Sequence, residues 1–311
     1  MRLLDAAQVR AALDLDALVD ALAEAFRAVS EERVSAPPRV AVEAPAVGGS
    51  LLLMGAHAHG SPTLTAKLVG IFPGNAERGM ATHQALVAVL DAATGAARAL
   101  LDGEAITHAR TAAGSRLATR LLAGPGTGHL AIVGTGAQAR AHAEALARER
   151  ASARVVIAGR RPDAARALAA ELGAEAADVR TAVDGAAVVC LATSSSEPVI
   201  RREWLAPGIH VNSVGYSFTG GELDPALVRD AYVAVESRAA ALAPPPAGAS
   251  DLAGVTDPAE LGELVSGRRA PPAPGGITVY KSVGLAVEDD VAARLALARA
   301  EELGLGSVVE L

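Results

Sequence analysis

The sequence lacks most features that mark secreted, membrane-spanning or nucleic-acid-binding proteins. Its single cysteine, Cys190, excludes an internal disulfide, and its first residues, MRLLDAAQVR, contain no long apolar run of the kind that signal peptides carry. No apolar stretch reaches the roughly 18 uninterrupted residues that a spanning helix needs. The net charge is -7, whereas phosphate binding needs clustered Lys and Arg. We therefore expect a soluble cytoplasmic protein with a small-molecule ligand and no nucleic-acid or membrane partner.

What the chain does contain is enough apolar sequence for a large folded core. Of its 311 residues, 51% are hydrophobic and 20% are charged, which suits one large core or two moderate ones. Apolar residues at helical spacing predict two helices between residues 5 and 30, followed by strands and by a hairpin in QALVAVLDAATGAARALLDG. From Ile106 onward, strand-like runs alternate with helical patterns. This alternation predicts a parallel sheet covered by helices, and hence an α/β fold.

The change in pattern divides the chain into two predicted domains. An α+β domain is expected over residues 1–112 and again over 284–311, because the amphipathic tail VEDDVAARLALARAEELG can return to it as a last helix. Residues 113–283 are expected to form the α/β domain. The proline-rich stretches APPPAGAS and RRAPPAPGG are interpreted as surface loops instead of linkers.

A glycine-rich turn marks the start of the second domain. The sequence HLAIVGTGAQARAHAEAL predicts an apolar strand, then Gly134, Gly136 and Ala139, then a helix. The first glycine permits a tight turn, the second lets the backbone approach a pyrophosphate, and the small third residue lets the helix pack on the strand. The spacing alone is a weak signal. Between a strand and a helix it predicts a Rossmann domain that binds a dinucleotide, with a glycine turn that binds nothing as the alternative.

Two arginines after the next predicted strand, ARVVIAG, bear on the choice of cofactor. NAD enzymes usually carry an acid there that bonds the ribose 2′-hydroxyl, whereas Arg160 and Arg161 suit the 2′-phosphate of NADP. NADPH is thus favoured over NADH, unless the two arginines are merely solvated. We predict no metal site.

Three cationic residues stand alone in apolar sequence of the first domain: Arg39 in PPRVAV, Lys67 in LTAKLVG and Arg110 in THARTAAG. A charge on a half-buried segment is costly unless something pairs with it. The three are therefore candidates to hold an anionic substrate group, although a surface position or an ion pair also explains each one alone. Cys190 lies in an apolar strand and is expected in the core.

Several motifs, in order, resemble the ornithine cyclodeaminase and mu-crystallin family between Pro37 and Ala292. They are THQALVAVLDAATGAARALLDGEAITHARTAAGSRLATRLLA, IVGTGAQA, PGIHVNSVG with ELDPALVRDA, and ITVYKSVGLAVED. The resemblance implies a Rossmann domain for the nicotinamide cofactor. It also implies an N-terminal α/β domain that holds the substrate and makes a homodimer.

The resemblance assigns roles to individual residues as well. Arg39, Lys67 and Arg110 match the positions that clamp the substrate carboxylate in the family. His83 resembles a histidine of the mu-crystallin branch, with a substrate contact and a structural role both open. The residues that match the family's cofactor contacts are Gly134, Gly136, Ala137 and Gln138 in the phosphate loop, with Thr193, Val214 and Ser282 elsewhere. Arg160 and Arg161 resemble the NADPH-using mu-crystallin branch.

The loop VGYSFTGGEL bears on which reaction of the family applies. Cyclodeaminases carry an aspartate, their general base, as the second residue after the VG pair, where this chain has Ser217. A neutral hydroxyl cannot take a proton from an ammonium group as a carboxylate can. The mu-crystallin branch also has serine there and resembles ketimine reductases. Lys67, Arg110 and Ser217 are therefore predicted as catalytic residues for NADPH-dependent reduction of cyclic or acyclic α-imino carboxylates, such as 1-pyrroline-2-carboxylate or 1-piperideine-2-carboxylate.

Three alternatives stay open. An amino-acid dehydrogenase would use a 2-oxo acid and ammonia, an ornithine or lysine cyclodeaminase would release ammonia, and a binding protein would hold NADPH without turnover. The substrate side chain is not specified, although Tyr216 and Phe218 are unusual in a chain only 2% aromatic and are expected to narrow the site. The role of loop 244–250, which departs from an acidic stretch of the family, is also open.

Overall fold

The structure is a computed structural model that describes residues 1–124, 128–150, 153–217, 219–245 and 247–310. The chain forms two compact units. Unit 1 comprises Met1–Arg110 and Gly284–Leu311, and unit 2 comprises Thr111–Val283. Within the described residues, no helix is both long and apolar enough to cross a membrane.

The described residues contain sixteen strands and ten α-helices. The strands are β1 (Arg2–Leu4), β2 (Val34–Ser35), β3 (Val40–Ala44), β4 (Gly49–Ala58), β5 (Thr63–Ile71), β6 (His83–Asp91), β7 (Ala97–Asp102), β8 (His129–Val133), β9 (Val155–Ala158), β10 (Glu175–Ala176), β11 (Ala186–Leu191), β12 (His210–Ser213), β13 (Tyr232–Val235), β14 (Ala259–Glu260), β15 (Thr278–Lys281) and β16 (Ser307–Val308). The helices are α1 (Ala6–Ala12), α2 (Leu15–Ser30), α3 (Gly103–Leu122), α4 (Ala137–Glu149), α5 (Pro162–Leu172), α6 (Val179–Val183), α7 (Pro225–Asp230), α8 (Arg238–Ala241), α9 (Leu261–Val265) and α10 (Ala286–Leu303).

The two helices predicted near the N-terminus are present as α1 and α2. Asp5 and Asp14 precede them, and each accepts a hydrogen bond from a backbone N–H three residues later, which satisfies one unpaired donor of the first turn. Helix α2 buries a stripe of apolar side chains four residues apart, Leu18, Leu22 and Phe26. This spacing matches one face of a helix, so the amphipathic pattern positioned α2 correctly.

Unit 1 is built on one mixed sheet in the order β16-β1-β7-β6-β5-β4-β2, with β3 paired to β4. Strands β3 to β7 pair antiparallel in sequence, and β1 runs parallel to β7. Along β5, Thr63, Thr65, Lys67 and Val69 are buried, because alternate side chains point to the same face of a strand. Helix α10 packs against β4, β5 and β6. The strand period therefore turns Lys67 toward α10.

In the described residues of unit 2, eight strands form one sheet in the order β10-β9-β8-β11-β12-β15-β13-β14, and every strand pair is parallel. The predicted α/β class with a Rossmann domain is confirmed. The strand order reverses between β8 and β11, and open α/β sheets bind ligands at the carboxyl ends of strands at such a point.

Candidate active site

Lys67 is a buried cation in the middle of β5, with only 3% of its surface exposed. Its Nζ donates hydrogen bonds to Asp289 Oδ1 at 3.0 Å and to Thr107 Oγ1 at 2.9 Å. An ammonium group has three N–H donors, so the third has no partner among the residues that the structure describes. A buried cation with one donor left over is suited to bind an anion.

Arg110, on α3, joins the same group of charges. Its Nε donates to Asp289 Oδ1 at 3.2 Å, and its Nη1 lies 3.3 Å from Glu288 Oε2. Gly284 has a φ of +74°, and a Cβ there would lie 2.6 Å from Arg110 Nη1, so only glycine leaves room for this guanidinium. Arg39 Nη2 donates to the Gly284 carbonyl at 2.8 Å. The three predicted cations thus meet around the segment that begins α10.

We call Arg39, Lys67, Arg110, Glu288 and Asp289 the clamp cluster. It holds three positive and two negative formal charges, an excess of one positive charge, and both carboxylates are fully buried. Burial lowers the pKa of Lys67 to about 8, with Arg110 acting in the same direction, while Asp289 and Glu288 oppose the shift. Lys67 is therefore mostly charged at neutral pH, and the cluster is suited to hold one carboxylate.

His83, at the start of β6, is a further titratable group in unit 1. Its Nδ1 lies 3.1 Å from Thr82 Oγ1. His83 as a whole is exposed, but partial desolvation of its ring and, less strongly, the charge of Lys67 lower its pKa. The imidazole is therefore neutral at physiological pH and contributes no charge to the clamp cluster.

In unit 2 the predicted glycine turn joins β8 to α4. Gly134 has a φ of +143°, and a Cβ there would lie 2.3 Å from the Ala192 carbonyl oxygen and 3.4 Å from Ala139 Cβ. Gly136 is the N-cap of α4 and provides no side-chain cap. The first N–H groups of a helix have no partner within the helix and favour anions. The turn and the helix terminus together fit the pyrophosphate of a dinucleotide.

Three polar side chains near this turn have unused hydrogen-bonding capacity. Gln138 Oε1 is buried and has no hydrogen-bond partner among the described residues. Arg160 and Arg161 are exposed directly after β9, and neither forms an ion pair with the described part of the chain. By contrast, nearby Arg154 and Arg166 pair with Glu175 and Asp163, respectively. The two unpaired guanidinium groups thus remain available to a phosphate.

The other predicted cofactor residues lie just after the ends of parallel strands. Thr193 follows β11, Val214 follows β12 and Ser282 follows β15. The Thr193 hydroxyl donates to Glu222 Oε2 at 2.7 Å, and the Ser282 hydroxyl donates to Glu236 Oε1 at 2.6 Å. Both hydroxyl protons are therefore used inside unit 2, so a cofactor at these positions would have to contact other atoms.

The buried acids at this edge of the sheet were not predicted from the sequence. Glu222 is fully buried and accepts four hydrogen bonds, from the N–H and hydroxyl of Thr193, the Ser213 hydroxyl and the Gly215 N–H. Its carboxylate therefore ties the end of β11 to the end of β12. The sequence does carry a signal for them. Glu222 is the first charged residue after a long uncharged stretch, and Glu236 is the one charged residue in the apolar run AYVAVES.

Lys281 also stabilises the uncharged loop that follows β12. Lys281 Nζ donates to the Gly215 carbonyl at 2.6 Å, to Ser213 Oγ at 3.1 Å and to Asp251 Oδ2 at 3.0 Å. Asp251 closely follows loop 244–250, whose role the sequence left open and whose residue 246 lies outside the described residues. This aspartate gives that region an acidic anchor.

Ser217 is partly exposed, and its Oγ accepts a long hydrogen bond of 3.4 Å from the Thr219 N–H. Tyr216 is likewise partly exposed, whereas Phe218 lies outside the described residues. Within the described residues, the Ser217 hydroxyl donates no hydrogen bond, so its proton is available to another acceptor.

The parallel sheet, the glycine turn and the free helix terminus define unit 2 as a Rossmann-type dinucleotide-binding domain, in a protein that also carries a buried cationic cluster. The profile of the Ornithine cyclodeaminase/mu-crystallin family matches residues 1–303. The chain therefore belongs to this family, and the resemblance drawn from its motifs is confirmed.

Individual relatives point to the reductase side of the family. The chain is 38% identical to the ketimine reductase mu-crystallin of Mus musculus, over 84% of both chains. It is 33% identical to a Delta(1)-pyrroline-2-carboxylate reductase of Bacillus cereus, over 100% of both. Among solved structures, the Delta(1)-pyrroline-2-carboxylate reductase of Thermococcus litoralis in complex with NADH and L-proline matches with a TM-score of 0.91 and 30% identity, over 99% of this chain and 100% of that one.

Proposed function

We propose that this protein is an NADPH-dependent reductase that converts cyclic or acyclic α-imino carboxylates, such as 1-pyrroline-2-carboxylate or 1-piperideine-2-carboxylate, into amino acids. The observation that carries the proposal is the clamp cluster, in which Lys67 keeps one N–H without a described partner. A substrate carboxylate would fill that position and offset the excess positive charge. The relatives named as ketimine and pyrroline-2-carboxylate reductases support the same reaction.

In the proposed reaction the clamp binds the substrate carboxylate and thereby orients the C=N bond. NADPH, when bound, supplies the hydride that the imine carbon accepts. The imine nitrogen gains a proton from water or from the Ser217 hydroxyl, so the C=N bond becomes a CH–NH bond. Ser217 suits reduction, because a neutral hydroxyl can donate a proton but cannot replace the carboxylate base that deamination needs.

The proposed cofactor site lies on unit 2. The turn at Gly134 and the start of α4 would hold the pyrophosphate, and the proposed contacts are Gly134, Gly136, Ala137, Gln138, Thr193, Val214 and Ser282. Arg160 and Arg161 would bind the 2′-phosphate, which favours NADPH. The Thermococcus litoralis relative is described with NADH, so similarity does not decide this preference and the proposal rests on the two arginines.

The direct test is an assay that follows NADPH consumption with 1-pyrroline-2-carboxylate and with 1-piperideine-2-carboxylate. We expect turnover with at least one of them and formation of the corresponding cyclic amino acid. No turnover with any imino acid, together with ammonia release from ornithine or lysine, would overturn the proposal in favour of a cyclodeaminase. A rate that requires both a 2-oxo acid and added ammonia would favour an amino-acid dehydrogenase instead.

We also propose that the sheet of unit 1 forms the interface of a homodimer. The face of this sheet that points away from α10 carries exposed apolar residues on four neighbouring strands: Val40, Val42, Leu51, Leu53, Leu64 and Leu86. Leu53 lies opposite Val40 on one neighbouring strand and Leu68 on the other. A contiguous apolar face of this kind marks a protein contact.

Leu53→Glu should convert the dimer to a monomer, because a charge at the centre of an apolar interface loses its hydration without a partner. Size-exclusion chromatography with light scattering measures the change. Leu303→Glu, at an exposed leucine near the end of α10, is the matched control and should leave the dimer intact. A wild-type monomer, or a dimer that persists in Leu53→Glu, would contradict this interface.

A further inference from the structure

The chain uses lysine at only two positions, although it has 28 basic residues. Lys67 in unit 1 and Lys281 in unit 2 are 3% and 2% exposed, and each donates to a buried aspartate at 3.0 Å. Lys281 uses all three N–H donors within unit 2. Lys67 uses two with partners in the described part of the chain, Asp289 and Thr107. Lys281 is therefore fully engaged in the fold, whereas Lys67 retains a donor for a ligand.

The partner of Lys67 is an unusual carboxylate. Asp289 is fully buried, and its Oδ1 accepts from Lys67 Nζ at 3.0 Å and from Arg110 Nε at 3.2 Å. Its Oδ2 is buried and has no hydrogen-bond partner among the described residues. Both of its hydrogen bonds thus come from clamp cations. A carboxylate that only held the fold together would be expected to use both oxygens.

The next residue provides the contrast. Asp290 is also fully buried on α10 and also contacts β5, where its Oδ1 accepts from Thr63 Oγ1 at 3.0 Å and Thr65 Oγ1 at 2.5 Å. Its Oδ2 accepts from Arg294 Nε at 3.1 Å. Asp290 therefore uses both oxygens and bonds none of the clamp cations. Two adjacent aspartates of equal burial thus have different partners.

We propose that Asp289 is a positioning residue that acts through Lys67: it fixes the direction of the ammonium group and keeps it charged, and so sets the pH above which the clamp loses its substrate. This inference rests on one part of the proposed function, namely that the substrate carboxylate binds Lys67. Asp289 and Thr107 take two of the three N–H donors of Lys67, which leaves the third for the substrate.

The charges around Lys67 determine whether removal of the Asp289 charge raises or lowers the pKa of Lys67. From α10, Asp289 and Glu288 favour its charged form, while Arg110 on α3 opposes it. Burial, the largest cause, lowers the Lys67 pKa to about 8. His83 on β6 and His108 on α3 also lie near; burial is the main cause that lowers the pKa of each, so both are neutral in this range. Without the Asp289 charge, Lys67 must lose its proton at a lower pH.

The test compares Asp289→Asn with Asp290→Asn, each of which keeps the shape of the side chain and removes one charge. Because the chain has only two lysines, protein labelled with lysine carrying ¹³C at Cε gives two lysine signals. The signal that disappears in Lys67→Met belongs to Lys67, and the signal that remains belongs to Lys281. We expect the Lys67 titration midpoint to fall by about one pH unit or more in Asp289→Asn. It should stay unchanged in Asp290→Asn.

The alkaline limb of kcat/KM, which reports ionisation of the free enzyme, should move to lower pH by the same amount. If the Lys67 midpoint falls from about 8 to about 7, the charged fraction at pH 8 falls about fivefold, and kcat/KM with it. The KM for the imino acid should rise, while the KM for NADPH stays the same. A merely structural role would not move the Lys67 titration.

An unchanged Lys67 midpoint in Asp289→Asn would overturn the inference, as would an equal shift in Asp290→Asn. If Asp289→Asn does not fold, Glu288→Gln removes the second carboxylate and should give a smaller shift in the same direction; no shift there would also overturn it. The lysine signals need no turnover. A wild-type protein that reduces no imine would therefore refute the proposed function while the titration still tests Asp289.

Discussion

Replacing Lys67 with methionine should reduce kcat/KM for imino acids by about 10³-fold or more, while NADPH binding stays within about twofold of wild type. Methionine matches the length of the lysine stem but provides neither charge nor donor. Under the proposed function, the variant would lose a charge-assisted hydrogen bond to the substrate carboxylate, and the misoriented C=N bond would add to the loss of rate. The proposed cofactor site lies on unit 2 and shares no residue with β5. Steady-state kinetics and a fluorescence titration of NADPH measure the two effects.

The matched control is Arg299→Met, which removes an exposed cation on α10 that pairs with Glu302. It should change neither turnover nor cofactor binding, because exposed ion pairs contribute little. A thermal unfolding curve of Lys67→Met shows whether the protein remains folded. Unchanged turnover in a folded Lys67→Met would refute the clamp, and the absence of turnover in wild type with tight NADPH binding would favour a binding protein.

The double variant Arg160→Ala with Arg161→Ala should raise the KM for NADPH by about 10²-fold or more and leave the KM for NADH nearly unchanged. Each charge-assisted hydrogen bond to a phosphate contributes about 1.5–3 kcal/mol, and only NADPH carries the 2′-phosphate. Neither arginine forms an ion pair within the described residues. The rise in KM should therefore reflect lost contacts to the 2′-phosphate and not a destabilised fold. Parallel initial-rate measurements with the two coenzymes test this expectation.

Arg166→Ala is the control for this variant. Arg166 is exposed on the following helix, α5, but it already pairs with Asp163. It should leave both KM values unchanged. Equal losses with NADPH and NADH in the double variant would mean that the arginines support the domain and not the 2′-phosphate. A wild-type enzyme that prefers NADH would refute the assignment directly.

The three clamp cations could be predicted from the sequence because a single charged residue is easily recognised within an apolar segment. Arg39, Lys67 and Arg110 each interrupt an apolar segment, and such a charge must have a partner. The glycine turn was predictable for a similar reason, since the spacing of Gly134, Gly136 and Ala139 has a steric purpose at each position. The parallel sheet followed from the alternation of apolar runs with helical patterns.

The counterions of the clamp could not be predicted. Glu288 and Asp289 belong to the run VEDD, which at the start of an amphipathic helix indicates an exposed first turn with charges that favour the helix dipole. Their burial depends on contact with Lys67 on β5 and Arg110 on α3, which are 178 to 222 residues away in sequence. No local pattern encodes such a contact. The inward hydrogen bonds of Thr193 and Ser282 escaped prediction in the same way.

Unit 1 takes residues from both ends of the chain, while unit 2 is one continuous segment. During synthesis from the N-terminus, Lys67 and Arg110 therefore emerge long before Asp289, and the face of the sheet that α10 covers stays open until the last helix is made. Unit 2 is completed only shortly before, because its strand β15, which lies between β12 and β13, immediately precedes α10 in the sequence. Until α10 is made, the nascent chain is thus expected to need protection from aggregation at the open face of the unit 1 sheet.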